Sequence, residues 1–110
     1  MADREPIPQG TLDILVLTTL ERHPELHGFE IAEEIGRRSG NVLEVEEGSL
    51  YPALQRLLVN GLVRGKWGRT AENRRARYYT ITAEGRRTLE QKLASYRRVT
   101  GAIAAVLKPA

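Results

Sequence analysis

The 110-residue chain has no cysteine, which excludes a disulfide framework and thiolate chemistry and suits a reducing compartment. It also lacks a long apolar run: the stretch Leu12 to Leu20 falls far short of the ~20 residues that span a bilayer. Its opening, MADREPIPQG, carries charge and proline where a secretory leader would be apolar, so a soluble, cytoplasmic protein with no membrane partner is expected. There is no glycine-rich phosphate loop, and no nucleophile, base and orienting group stand together, which argues against an enzyme. His23 and His27 are spaced like metal ligands, but Pro24 interrupts the helix that would align them and no carboxylate is placed as in HExxH. No metal and no cofactor are expected. Internal repeats and low-complexity tracts are absent, and the length suits one domain.

What is present is an uneven charge. Residues 1–63 hold 5 Arg against 11 Asp or Glu, a balance of −6, whereas residues 64–110 hold 12 Lys or Arg against 3 Glu, a balance of +9. Such a concentration of positive charge implies a polyanionic partner. Because the basic residues lie on a hairpin pattern and not on a Lys-rich amphipathic helix, double-stranded DNA is favoured over a membrane surface.

The stretch the chain is arranged around is EGSLYPALQRLLVNG, Glu47 to Gly61. Proline lacks an N–H and its ring clashes with the carbonyl four residues back, so the helix is predicted to begin at Gly48 or Ser49 with Pro52 in its first turn. Leu50, Ala53, Leu54, Leu57 and Leu58 have the spacing of a core stripe, and Asn60 with Gly61 supplies a stop. Ser49, Tyr51, Pro52, Gln55 and Arg56 remain on the outer face as candidate recognition residues. Gln55 has the chemistry to bond adenine bidentately, Arg56 to take guanine or a phosphate, and Ser49 with Tyr51 to bind phosphate at the positive helix end. Glu46 and Glu47 are assigned to complementing the helix dipole.

Leu62 to Trp67 and Arg77 to Thr82 read as two strands joined by a long polar loop, Gly68 to Ala76. Alternation puts Val63, Trp67, Tyr79 and Ile81 on one face, expected to pack on the helices. Arg64, Lys66, Arg69, Arg74, Arg75 and Arg77 are expected on the other face and the tip. Five Arg and one Lys against the single Glu72 exceed what solubility needs, and they mark a wing that touches phosphates or a minor groove. Trp67, like Tyr96, is read as packing in preference to ligand stacking.

Around this unit, a first helix from Thr11 to Arg22 carries apolar residues on almost every side. A second, acidic helix ending near Gly40 is expected to turn Phe29, Ala32 and Ile35 inward. Val42 to Val45 is expected to form a short strand in the sheet of the hairpin. Thr82 caps a last helix from Ala83 to Leu107, about 37 Å long at 1.5 Å per residue. Its Leu89, Leu93, Tyr96, Thr100, Ile103 and Leu107 keep the rhythm of a coiled-coil seam, and the uncharged end Ala102 to Leu107 would be exposed in a monomer. A two-fold dimer through the first and last helices follows, with Leu12, Leu15, Leu89, Leu93, Tyr96, Ile103 and Leu107 as candidate contacts. The fold class is mainly α with a small β-wing (α+β): a winged helix-turn-helix over residues 1–82 and a dimerisation helix over residues 83–110, forming one compact unit.

GTLDILVLTTL (Gly10 to Leu20), LHGFEIAEEI (Leu26 to Ile35), EGSLYPALQRLLVNGLV (Glu47 to Val63), GKWG (Gly65 to Gly68) and RYYTITAEGRR (Arg77 to Arg87), in this order, resemble the PadR family of bacterial transcriptional regulators in its short form with one C-terminal helix. Phe29 stands where that family commonly has Tyr. The resemblance implies a winged-helix domain, homodimerisation through the first and last helices, and repression at palindromic operators, with release by a ligand. A small apolar or aromatic effector entering the dimer interface near Tyr96 is the expectation for that ligand. The rival reading is a winged-helix module that binds protein or small molecules without DNA, and the basic wing argues against it.

Overall fold

The computed structural model describes residues 4–8 and 10–110; residues 1–3 and Gln9, part of the opening read above for a leader, lie outside the described residues. The elements are β1 (Glu5–Pro6), α1 (Leu12–Arg22), β2 (Leu26–His27), α2 (Gly28–Arg38), β3 (Leu43–Glu44), α3 (Glu47–Val59), β4 (Val63–Arg69), β5 (Arg75–Ile81) and α4 (Ala83–Leu107). The α+β class with a small antiparallel sheet matches the sequence reading.

α1 runs through the middle, against α2, α3, α4 and β5. Val16, Leu17 and Leu20 are buried, and Leu12, Ile14 and Leu15 pack half-buried on the same core, so much of the apolar excess of this helix is covered by its own protomer. Ile31, Leu50, Leu54 and Leu57 complete the centre, each fully buried leucine or isoleucine contributing about 1.5–3 kcal/mol.

Four expectations need correction. α3 begins at Glu47, so Pro52 lies in its second turn. Only the bond that Pro52 would have given to the Gly48 carbonyl is lost, and exposed Gly48 leaves that carbonyl to solvent. The first turn is secured separately, by the Ser49 and Leu50 N–H groups donating to the Glu46 carbonyl at 3.0 and 2.9 Å. In α2, Phe29 points outward, 63% exposed, and Ile31 takes the inner place. His27 caps the helix through its side chain, so the inner stripe runs Gly28, Ile31, Ala32, Ile35, and Phe29 is about 100° off it.

The third correction concerns β3, which pairs in parallel with β1 (Glu5 with Leu43, Pro6 with Glu44) and not with the hairpin. The third strand of the hairpin sheet is β2, on the outer edge of β5. The fourth concerns the hairpin itself. Its register, from Val63 opposite Ile81 to Arg69 opposite Arg75, carries both strands further than expected and leaves only residues 70–74 for the turn. Asn73 adopts a left-handed backbone there, with φ 62°.

α4 has the predicted bounds. The Thr82 hydroxyl accepts from the Gly85 N–H at 3.0 Å and donates to the Gly61 carbonyl at 2.7 Å, tying the helix start to the end of α3. A side chain at Gly85 would run into the Leu62 carbonyl oxygen, so glycine is what lets α4 lie against the base of the wing. Leu89 is buried in the core and Leu93 half-buried on it; beyond them nearly all of α4 is exposed, and the longest extent of the molecule, α4 included, is 57 Å.

Candidate nucleic-acid interface

Burial of Leu50, Ala53, Leu54 and Leu57 turns the opposite face of α3 to solvent, and Ser49, Tyr51, Pro52, Gln55 and Arg56 are all exposed there. Tyr51 is braced from behind: a Cβ on Gly28 would stand 3.1 Å from its phenol oxygen, so the ring rests on the start of α2. Arg56 is partly engaged, donating from Nη2 to Asp13 Oδ1 of α1 at 3.1 Å. That pair links the outer face of α3 to the first turn of α1, so Asp13 is a member of this surface that was not among the candidate recognition residues.

On the wing, residues directly opposite share a face. Arg64 and Lys66 lie on the outer face, where Lys66 Nζ stands 3.9 Å from Glu25 Oε2. Arg77 lies on the same face as Val63 and Trp67, opposite to the expectation, and Arg69 and Arg75, expected in the loop, extend the strands on that same face, because the register places Trp67 against Arg77 and Arg69 against Arg75. Arg74 sits exposed at the tip, where the Thr70 N–H donates to its carbonyl at 2.8 Å. The reading of Trp67 as packing is also corrected: Val63, Tyr79 and Ile81 meet the core, but Trp67 lies past it, 55% exposed, with the Arg75 guanidinium 4.3 Å and that of Arg77 5.7 Å from its ring centre. Alternation alone held this information, since Arg75 and Arg77 precede Tyr79 and Ile81 at intervals of two.

The two glycines of GKWG have separate uses. Gly65 leaves room for the Arg77 side chain to lie across the strand, while the ring of Tyr78 lies on Gly68, 3.1 Å from where a Cβ would be, and its hydroxyl donates to the Arg69 carbonyl at 3.1 Å. Between the wing and the starts of α2 and α3 lies a groove of about 980 Å3, whose border includes Tyr51, Trp67, Arg75, Arg77, Phe29 and Glu33. A second hollow of about 360 Å3 separates the N-terminal segment from α3, beside Ser49, Pro52 and Arg56.

The histidines are used within the fold. His23 Nε2 lies 3.0 Å from Glu34 Oε2, and His27 accepts the Glu30 N–H while the Glu30 carboxylate accepts the His27 N–H. The Arg37 guanidinium hydrogen-bonded to Glu34, helped by His23 and partly opposed by burial, holds that carboxyl down at about 2. Among the described residues no three His, Cys, Asp or Glu gather as a metal site. No helix among them is long and apolar enough to cross a membrane.

Of the candidate dimer contacts, Leu89 is fully buried within its own protomer, and Leu12, Leu15 and Leu93 are half-buried. Tyr96, Ile103 and Leu107 are exposed at 42, 52 and 76%. Tyr96 borders neither hollow.

The family model for the transcriptional regulator PadR-like family matches residues 16–91. A transcriptional regulator from Clostridium thermocellum has a similar structure, with TM-score 0.82 and 28% identity over 91% of this chain and 96% of that one. A PadR family transcription regulator from Clostridium difficile is 30% identical, with TM-score 0.74 over 90% of this chain and 100% of that one. Bacillus subtilis PadR, in a structure with operator DNA, shares the fold at TM-score 0.66 and 24% identity, over 76% of this chain and 47% of that one.

Proposed function

The chain belongs to the transcriptional regulator PadR-like family, and from that premise we propose that it is a homodimeric, sequence-specific repressor acting at a palindromic operator in the cytoplasm. The observation that carries this is one surface: the N-terminal part of α3, through Tyr51, and the arginine wall of the wing border the same groove. Two elements that bind DNA by different means thus stand side by side, a helix end with hydrogen-bonding side chains and a strand wall with fixed positive charge.

In the proposed complex α3 enters the major groove, Gln55 reads a base edge, and Ser49 and Tyr51 hold phosphate near the helix start. Arg64, Lys66, Arg69, Arg74, Arg75 and Arg77 hold the flanking backbone. Arg56 takes a phosphate or a guanine with the donors that Asp13 leaves to it. The exposed apolar end of α4, with Ile103, Val106 and Leu107, covers the same surface of a second copy, so residues 83–110 serve dimerisation and residues 1–82 DNA binding. Two α3 helices then reach successive major grooves about 34 Å apart, and occupancy blocks transcription. A small apolar or aromatic effector between the copies near Tyr96 would release the DNA.

The test is binding to promoter duplexes across a salt series. About 8 neutralised phosphates predict a log–log slope near −7. A flat response overturns the electrostatic part of the proposal.

A further inference from the structure

The chain has six Phe, Trp and Tyr residues in all, and five of them, Phe29, Tyr51, Trp67, Tyr78 and Tyr79, border the groove beside the wing. Among them Trp67 is more than half exposed, with two guanidinium groups over its ring. Arg75 and Arg77 stand two residues apart on one strand face, and neither is in an ion pair among the described residues. Two like charges held near one another without a counter-charge repel, and the attraction of each to the Trp67 ring offsets part of that repulsion. Arg77 lies across Gly65 with its Nε buried and without a hydrogen-bond partner among the described residues, so its charge is uncompensated and its guanidinium end, over Trp67, is the part that can meet an anion. The α2 side of the groove carries Glu30 and Glu33, so an anionic chain would keep to the wing side.

We infer that one sugar-phosphate strand of the bound duplex runs through this groove along the inner wall of the wing, over Trp67, with Arg75 and Arg77 each holding a phosphate. This rests on the DNA-binding reading above and adds a path for the strand and a role for the tryptophan. Trp67 is a positioning residue: it fixes two long side chains before the duplex arrives, so little of their rotamer freedom remains to be lost on binding.

Trp67 is the chain's single tryptophan, so fluorescence excited at the red edge of the indole band, where the four tyrosines absorb little, reports this wall alone. On titration with a promoter duplex, iodide quenching of Trp67 is expected to fall about threefold or more as the strand covers the ring. Trp67→Leu is expected to weaken binding to every duplex about tenfold and to shrink the salt slope by about 1.8, two phosphates at 0.9 each. Trp67→Phe, which keeps a ring face, should retain most of the parental slope. Adding Arg75→Ala and Arg77→Ala to Trp67→Leu should cost little more than either change alone.

Thermal melting of Trp67→Leu separates misfolding from lost positioning, and the quenching measurement on the unaltered protein needs no variant. Iodide quenching unchanged at saturating duplex, or folded Trp67→Leu with parental affinity and slope, overturns the inference while leaving DNA binding intact. Failure of the parent chain to bind any duplex overturns both.

Discussion

Gly85 and Gly101 lie on the same helix, and replacing each by alanine should shift stability in opposite directions. At Gly101 an added Cβ meets nothing within 4 Å, so Gly101→Ala only removes backbone freedom from the unfolded chain and should stabilise by about 0.5–1 kcal/mol. At Gly85 the same propensity gain of about 1 kcal/mol is set against a collision with the Leu62 carbonyl oxygen and a 2.7 Å approach to Ile81 Cγ1. Neither neighbour yields easily: Ile81 is 6% exposed, and the Leu62 carbonyl accepts the Thr82 N–H at 3.1 Å. Overpacking of about 3 kcal/mol plus about 1 kcal/mol for the disturbed hydrogen bond, less the propensity gain, leaves a loss of about 3 kcal/mol. At 4–8 °C per kcal/mol for a chain of this size, the Tm should fall by about 12–24 °C. The assay is thermal unfolding followed by far-UV circular dichroism at one fixed protein concentration, since dimerisation would make the Tm depend on concentration. Equal Tm values for Gly85→Ala and the parent would refute the reasoning that glycine seats α4 on the wing.

Four other substitutions test separate parts of the account. The folded Glu34 carboxyl is held at about 2, below its ordinary 4.5, so its contribution to stability is complete above about 4.5 and fades as the pH falls from there towards 2. Glu34→Gln should flatten the dependence of the urea midpoint on pH in that window, and a parallel curve would show that the Arg37 and His23 contacts do not act on stability. Ile103→Glu should make the protein monomeric by sedimentation equilibrium and cut operator affinity about tenfold or more, because two-site attachment is lost. Gln55→Ala should blur discrimination at one base pair by about 1–3 kcal/mol, whereas Arg74→Ala should weaken all sequences alike and reduce the salt slope by about 1; identical behaviour of the two would remove the division between reading and holding.

The helices were legible because their evidence is local. The stripe of Leu50, Ala53, Leu54 and Leu57 is buried as its spacing required, and the Thr82 cap with the a/d rhythm after it gave α4 its bounds. The errors lie where a non-local partner decides. Nothing in Val42 to Val45 says that its neighbour is Glu5–Pro6, and a two-residue strand such as Leu26–His27 has too little alternation to announce itself. Hydrophobicity alone points Phe29 inward, whereas the His27 cap sets the phase of α2 and turns that ring to the groove. At the candidate site, α3 and the charge of the wing were visible in the sequence. The side of the strand on which Arg75 and Arg77 stand was obscured by the charge grouping, although the parity of Tyr79 and Ile81 contained it.

The central claim is that two copies present two α3 helices to one side of a duplex. The direct measurement is the mass of the complex in solution, by light scattering or sedimentation, on a duplex with two half-sites centred about 10 base pairs apart. Two chains per duplex are predicted, with affinity that collapses when either half-site is scrambled. One chain per duplex with unchanged affinity for a single half-site, or no complex even at low ionic strength, would contradict it.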